Sequence, residues 1–525
     1  MECTCVRHTD IPGTSKLFAD LIHHFDRVSD LYPFAPNSID SLVAAARFDF
    51  PDSRRAALIS ALTPLNEGNP SLAELAKPGT VAIVTGQQVG LFSGPAYTVY
   101  KALTAIKAAQ SLNERGIPAV PVFWLATEDH DFAEIDHVWV FNEEYRPVKI
   151  HIAGPAQTEA RPVGGVGLHD IPLAELRTAL VGLPFADEAA ALVEAAYTPG
   201  ETMGSAFGRL IKALFSKFGL LLIDPMDRAI REIAAPLMAD AVKRMPELVD
   251  ALMLRSQELV DRGYHAQVLV DQKTSLAFLL QDGHRLALRR AGDDFLSPHQ
   301  KLSTEELAAR AADLSPNALL RPIVQDYLLP TAAYIGGPAE LAYLAQSQVL
   351  YQKLLDRQPA AFPRAGFTLV DERIHKRMVR YQLSPADLYR RQELLHDEIA
   401  KRLVPSTLKD GVERTQNTFS SALNALSRDL QSFDVTLAAA LETSRRKIEY
   451  QVGKISRKTA RQIMARDEQA TRDAASLSGL VFPENHLQER LYSIIPFIAR
   501  FGPGLIDDLY SAVQTECVDH QFAIV

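Results

Sequence analysis

Three short apolar runs, each cut off by polar residues, constrain the fold more than anything else in this sequence. Val81-Ala82-Ile83-Val84 runs into Thr85-Gly86, Pro121-Val122-Phe123-Trp124-Leu125 into Thr127-Glu128-Asp129, and Leu220-Leu221-Leu222-Ile223 into Asp224-Pro225. Such runs are too short for buried helices and lack the alternation of half-exposed strands, so they predict strands covered on both faces. Between the first two, Tyr97 to Arg115 carries Val99, Leu103, Ile106 and Leu112 at helical spacing, and Gly116 and Pro118 stop it. Strand, helix, strand in this order predicts a right-handed crossover, hence an α/β fold with a parallel sheet. Ligands of such sheets gather beyond the carboxyl ends of the strands, where these polar residues lie.

The rest of the chain has other textures. Within 264–290, HAQVLV and SLAFLL precede Gln281-Asp282-Gly283-His284 and RLALRR, and Asp-Gly between alternating runs predicts an antiparallel insertion. A core is expected over 1–375. From about 376 to 480 the chain becomes charged and helical: Phe419, Leu423, Leu426, Leu430 and Phe433 form a heptad seam, and Leu437, Leu441, Ile448, Val452 and Ile455 mark a second helix. Two antiparallel helices forming an arm, paired with a second subunit, fit this pattern, with an ordinary helical bundle as the alternative. The segment 481–525 returns to mixed apolar sequence and is expected to pack back on the core.

Charge and cysteine usage narrow the partners. Lys+Arg 55 against Asp+Glu 64 gives a net charge of −9, which does not favour nucleic acid or an anionic membrane. The start, MECTCVRHTD, shows no signal peptide, and no apolar run approaches the ~18 residues of a membrane span. A cytoplasmic location is therefore expected. Cys3 and Cys5, without a second ligand pair, read as a reduced, frayed tail.

Two constellations stand at the strand ends. The first runs from Thr85-Gly86-Gln87-Gln88 through Gly90 and Gly94-Pro95 to Tyr97, with Lys101 one helical turn later. Its glycines allow close backbone approach, its glutamines supply amide donors and acceptors, and the helix start after Pro95 could hold an anion. It is neither a Walker A loop nor a dinucleotide fingerprint. The second, Glu128-Asp129-His130-Asp131-Phe132-Ala133-Glu134-Ile135-Asp136-His137, crowds five carboxylates and two imidazoles behind a strand. It reads as a divalent-metal site, as an amine-recognising site with His130 or an acid as general base, or as a solvated acidic loop. Its spacing matches no EF-hand and no zinc helix, and no metal ligand set is assigned.

A third cluster joins Ser315-Pro316-Asn317 and Arg321 to Tyr334-Ile335-Gly336-Gly337-Pro338-Ala339-Glu340, a second glycine turn before a helix start. There a backbone anion site is expected, with Arg321 as a carboxylate or phosphate clamp or as an ordinary solvent-facing arginine. Lys447, Lys454, Lys458 and Arg461 share roughly one face of the second arm helix, which reads as a solvated face, a phosphate site for a nucleotide or a surface for an acidic partner.

The stretches TGQQVGLFSGPAYTVYK, VPVFWLATEDHDFAEIDHV, SPNALLRPIVQDYLLPTAAYIGGPAELAY and LQERLYSIIPFIARFG closely resemble the cysteine ligase family of bacillithiol biosynthesis, in order and spacing from about Phe18 to the end of the chain. The resemblance implies the last step of bacillithiol assembly, in which cysteine is joined to glucosaminyl-malate through the glucosamine amine. It implies a Rossmann-like core similar to nucleotidyltransferases and class I aminoacyl-tRNA synthetases, with inserted connecting segments and a dimer-forming coiled-coil arm. It also implies a nucleotide beside the arm, ATP or another adenine nucleotide, while a need for Mg2+ is left open. Carried over to this sequence, Thr85, Gly86, Gln87, Gln88, Gly94 and Tyr97 would line the pocket, Glu128, Asp129, His130 and Asp131 would face it as catalytic residues, and Arg321, Gly336, Gly337 and Glu340 would close its far side.

The residues agree with that chemistry. Amide formation needs an activated carboxylate, usually an acyl-adenylate or acyl-phosphate, and anion-holding helix starts suit it. Acids suit an ammonium, and His130 could take its proton as it attacks. A nucleotidyltransferase-like enzyme for another metabolite and a non-enzymatic dimeric scaffold with a basic arm are the competing readings.

Overall fold

The computed structural model describes residues 1–36, 38–154 and 160–525. Five parallel strands form its central sheet: β1 (Val81–Gln88), β2 (Ala119–Ala126), β3 (Leu221–Ile223), β4 (Thr331–Gly336) and β5 (Ala360–Pro363). The three apolar runs are β1, β2 and β3, and the helix between the first two, α1, spans Tyr97–Glu114. Gly116 ends that stretch with φ +76°, the left-handed geometry that glycine adopts without strain.

Strand order is β5-β4-β1-β2-β3, so the chain builds outward from β1 in one direction and then returns to build in the other. This is the Rossmann-like arrangement, and it opens a crevice where the order reverses, beyond the carboxyl ends of β1 and β4. Neither β4 nor β5 was legible in advance. Thr331–Gly336 is short and sits inside the cluster read as a loop and glycine turn. Two helices flank β4: α2 (Arg321–Leu328) before it and α3 (Pro338–Leu354) after it.

The antiparallel insertion is present, with a changed boundary. Thr274–Gln281 pairs with His284–Ala291 around Asp282-Gly283, both at positive φ (51° and 76°), as a tight hairpin requires. His265 to Val270 forms no strand; its backbone at Val268 is held instead by the Gln346 side chain, which accepts from the amide at 3.1 Å and donates to the carbonyl at 2.7 Å. Leu314–Pro316 adds to the hairpin's other edge and ties the insertion to the core just before α2.

The arm is two long helices, α4 (Ser406–Phe433) and α5 (Val435–Arg466). Its seam is only partly covered: Phe419, Leu426, Phe433, Leu437 and Ile455 remain exposed. The last segment packs back as expected, and its strand His520–Ile524 pairs with both Phe367–Val370 and the N-terminal strand Glu2–Val6. Cys3 and Cys5 are thus not on a frayed tail. They lie in a sheet that joins the two ends of the chain, with the Cys5 thiol 3.7 Å from that of Cys517. No helix among the described residues is long and apolar enough to cross a membrane.

Gly86 lies directly opposite Trp124, and a Cβ there would sit 2.8 Å from both the Cβ and the carbonyl oxygen of Trp124. Gly86→Ala therefore forces β1 and β2 apart and is expected to cost about 1–3 kcal/mol of stability, read from denaturant unfolding.

Candidate functional site

The crevice is a cavity of about 660 Å³ whose walls come from the ends of β1, β2 and β4, from the hairpin insertion and from α2. Its floor is organised by one buried cation. Lys101, on α1 and 1% exposed, gives its three ammonium protons to the Gly86 carbonyl (2.9 Å), Gln87 Oε1 (2.9 Å) and Glu340 Oε2 (2.5 Å). Burial draws the ammonium's pKa down while Glu340 opposes that shift. Burial likewise resists charge on Glu340, but Lys101, the Gly337 amide (2.8 Å) and the Tyr334 hydroxyl (2.8 Å) outweigh it and hold the carboxyl below the usual range. With each donor and acceptor matched, the pair stays ionised.

The two sequence constellations meet. Gln88 Nε2 donates to Asp129 Oδ2 and to Glu134 Oε2, both at 2.7 Å, while Gln87 donates to the Tyr97 hydroxyl at 3.1 Å. Burial opposes ionisation of Asp129, yet Gln88, the His130 amide (2.7 Å) and Arg285 prevail and lower its pKa. Glu128 is the contrasting carboxyl. It is buried on the cavity wall, its Oε2 has no hydrogen-bond partner among the described residues, and burial pushes its pKa up to about 7 against the pull of Arg285 and Arg321. A carboxyl that exchanges its proton near neutrality, beside one that stays charged, is a common arrangement for acid–base work.

The remaining expected residues divide. Gly86, Gln87, Gln88, Tyr97, Glu128, Asp129, His130, Arg321, Gly337 and Glu340 line the cavity. Thr85, Gly94, Gly336 and Asp131 do not. Thr85 is wholly buried and donates to the Ile335 carbonyl at 2.9 Å, stitching β1 to β4. Gly94 packs against Gly90, where a Cβ would fall 2.9 Å from the Gly94 Cα. The turn between them holds Phe92 and Ser93 at positive φ and is pinned by Ser493 and Tyr197, so this half of the glycine loop serves the core. Gly336 closes against Leu341, and Asp131 is exposed ahead of the short helix Phe132–Ile135.

At each expected backbone anion site one amide is already taken. Ala96 at the start of α1 donates to the Tyr492 carbonyl at 2.7 Å, and Glu340 itself takes the Gly337 amide at the start of α3. Arg321 keeps its clamp potential. It reaches the hydroxyls of Tyr334 and Tyr343 at 3.4 and 3.3 Å, lies over the Trp124 ring, and bonds no carboxylate among the described residues.

Three arginines were missed. Arg285 from the hairpin, Arg364 beyond β5 and Arg490 in the last segment all line the cavity. Arg364 is fixed by a two-pronged pair with Glu489, 3.0 and 2.5 Å, both side chains buried. None carried a local signal: in a strand where Leu286 and Leu288 mark one face, Arg285 belongs to the other, as a surface arginine would.

The four arm cations do not line this cavity. Lys458, with Arg466, borders an apolar groove of about 430 Å³ between Leu408, Ile455 and Ile463. Arg461 is instead committed to Asp397 at 3.0 and 2.8 Å, and Lys447 and Lys454 are solvent-exposed outside the groove, which splits the expected stripe. Among the described residues, no three His, Cys, Asp or Glu side chains are grouped to hold a metal ion.

The state of Glu128 is testable through stability. Its folded pKa, about 7, exceeds the 4.5 of a free glutamate, so its contribution to stability is present below pH 4.5 and lost as pH rises to 7. Glu128→Gln should therefore gain on the wild type across that window, by up to about 3 kcal/mol, and level off above it. Parallel pH profiles of chemical denaturation would show instead that Glu128 is ionised as in water.

Comparison with known proteins agrees with this fold. Residues 1–365 match the family description "Bacillithiol biosynthesis BshC, N-terminal Rossmann-like domain", and residues 367–525 match "Bacillithiol biosynthesis BshC, C-terminal coiled-coil domain". The chain is 51% identical to the "Putative cysteine ligase BshC" of Solibacter usitatus (strain Ellin6076), covering 100% of both. It is 35% identical to the protein of that name from Koribacter versatilis (strain Ellin345), over 98% of each, and 31% identical to that of Salinibacter ruber (strain DSM 13855 / M31), over 96% of this chain and 95% of the relative. With both halves matched and full-length relatives aligned end to end, the chain belongs to the bacillithiol biosynthesis BshC family.

Proposed function

We propose that this protein is a cytoplasmic ligase that joins the carboxyl of cysteine to the glucosamine amine of glucosaminyl-malate, completing bacillithiol. The observation that carries the reading is the cavity's pairing of Glu128, poised near pH 7, with Asp129, whose pKa Gln88, the His130 amide and Arg285 lower against burial. An amine arrives as an ammonium and attacks only after losing a proton. Asp129 and Glu134 attract the cation, Glu128 takes the proton, and nitrogen bonds to the acyl carbon as the leaving group departs with its electron pair. Arg321 and Arg490 offer positive charge to substrate carboxylates or phosphates in the same cavity.

The activating group is an adenine nucleotide, which when bound supplies an activated cysteine carboxyl. The cavity residues that would hold its phosphates are Arg321 and Arg490, and any Mg2+ would be carried largely by those phosphates. The arm groove suits a nucleotide by the same chemistry, with Lys458 and Arg466 for phosphate and Leu408, Ile455 and Ile463 for the base.

The exposed seam residues of α4 and α5 support a homodimer through the arm, since charged helices with a regular uncovered apolar stripe gain by burying it. Leu426→Glu should then shift the mass in solution from dimer to monomer by light scattering, and an unchanged dimer would move the interface elsewhere.

Purified protein given cysteine, glucosaminyl-malate, ATP and Mg2+ should form the cysteinyl conjugate, detected by mass spectrometry of the labelled thiol. Glu128→Gln and Asp129→Ala should each lower turnover by about 10²-fold or more while circular dichroism stays unchanged. No conjugate with any nucleotide, or full turnover in both variants, sinks this reading.

A further inference from the structure

His130 was expected as a base, and its surroundings argue for a different role. Arg285 leaves the hairpin strand His284–Ala291 on the face shared with Phe278, and is 7% exposed. Its guanidinium is held on every side. Nε donates to Ser315 Oγ at 3.1 Å and Nη2 to the Pro316 carbonyl at 2.8 Å, and its central carbon lies 3.9 Å from the Phe278 ring centroid. The remaining nitrogen, Nη1, stands 3.0 Å from Nδ1 of His130.

The direction of that last bond is not open to choice. A guanidinium only donates and does not lose its proton in proteins, so His130 Nδ1 must accept. An accepting Nδ1 puts the proton of the neutral ring on Nε2. Protonating Nδ1 would set one N–H against another and bring a cation up to a cation, so the imidazolium is disfavoured while Arg285 is in place. Burial and Arg285 indeed lower the pKa of His130, against Asp129 and Asp131. The nearer carboxylate cannot reverse this: Asp129 Oδ1 is 3.7 Å from Nδ1, too long for a hydrogen bond, and already accepts from the His130 amide. Nε2 has no hydrogen-bond partner among the described residues, and the ring lines the cavity.

We propose that Arg285 is a positioning residue that occupies the Nδ1 lone pair of His130 and so presents its Nε2–H to the cavity as a fixed hydrogen-bond donor. The chemical role of that donor rests on the amide-forming reading above; the tautomer does not. In that reaction Glu128 receives the proton of the amine, and His130 donates to the acyl oxygen as it gains negative charge, remaining neutral throughout. The hairpin insertion thereby becomes part of the reaction centre, since it delivers the one residue that decides which imidazole nitrogen carries hydrogen.

The test is a long-range proton–nitrogen correlation spectrum of the full-length protein labelled with ¹⁵N-histidine, in which His130 is identified among 14 histidines by its loss in His130→Gln. The expected result is an unprotonated Nδ1 and a protonated Nε2 at pH 7, still neutral at pH 6.5, the ordinary midpoint of a histidine. A protonated Nδ1, or titration of His130 at or above that midpoint in the wild type, overturns the proposal without requiring any Arg285 variant to fold. Arg285→Ala should raise the titration midpoint of His130 above that of the wild type and, in the conjugation assay, lower kcat about 10²-fold with little change in KM. Unchanged kcat in that variant also overturns the positioning role. A wild-type protein that makes no conjugate yet shows the expected tautomer refutes the ligase reading and leaves the Arg285–His130 assignment standing.

Discussion

The site depends on a single buried ammonium. Lys101 lies beneath the crevice and binds at once the backbone of β1, the side chain of Gln87 and the carboxylate of Glu340 at the start of α3. A charge that deep is tolerable only with all three protons matched, and the match forces the ends of β1 and β4 into a fixed relation. Those strands flank the point where the sheet's order reverses, so the pair fixes the floor of the natural binding crevice. At the start of α3 the Gly337 amide and Lys101 converge on the Glu340 carboxylate, whereas at the start of α1 the Ala96 amide anchors the last segment through the Tyr492 carbonyl.

Above that floor the charges are sorted. Asp129, gripped by Gln88 and a backbone amide, stays ionised, while Glu128 on the same loop has an unpartnered oxygen and a proton affinity set by burial. Adjacent residues acquire opposite behaviour because one is held by several donors while the other is buried with an oxygen that no donor meets among the described residues. Four arginines complete the cavity, and three of them are each held by their own device: Arg285 by Phe278, Ser315 and Pro316, Arg321 by Gln325 and two tyrosines, Arg364 by Glu489.

The sequence made a good part of this legible. The apolar runs were strands, α1 lay where its periodicity put it, Asp282-Gly283 was a hairpin turn, and the glycine–glutamine and acidic stretches met through Gln88 and Asp129. What misled was local chemistry with a tertiary explanation. Gly90 and Gly94 have the look of a ligand loop but serve a strained turn locked by Ser493, and Thr85 is spent on an inter-strand bond. Cys3 and Cys5, at a terminus, lie in a sheet only because the far end of the chain pairs with them.

By itself the sequence determined that a parallel α/β core, a hairpin insertion and a helical arm would form, because apolar periodicity and turn residues act over a few neighbours and can be read one segment at a time. Tertiary structure alone decided which polar groups share the crevice and in what protonation state. Arg285, Arg364 and Arg490 look like surface arginines in the sequence, and Glu128 like any acid in a charged loop. Their roles arise from partners and burial supplied by residues remote in the chain, and no local pattern encodes those.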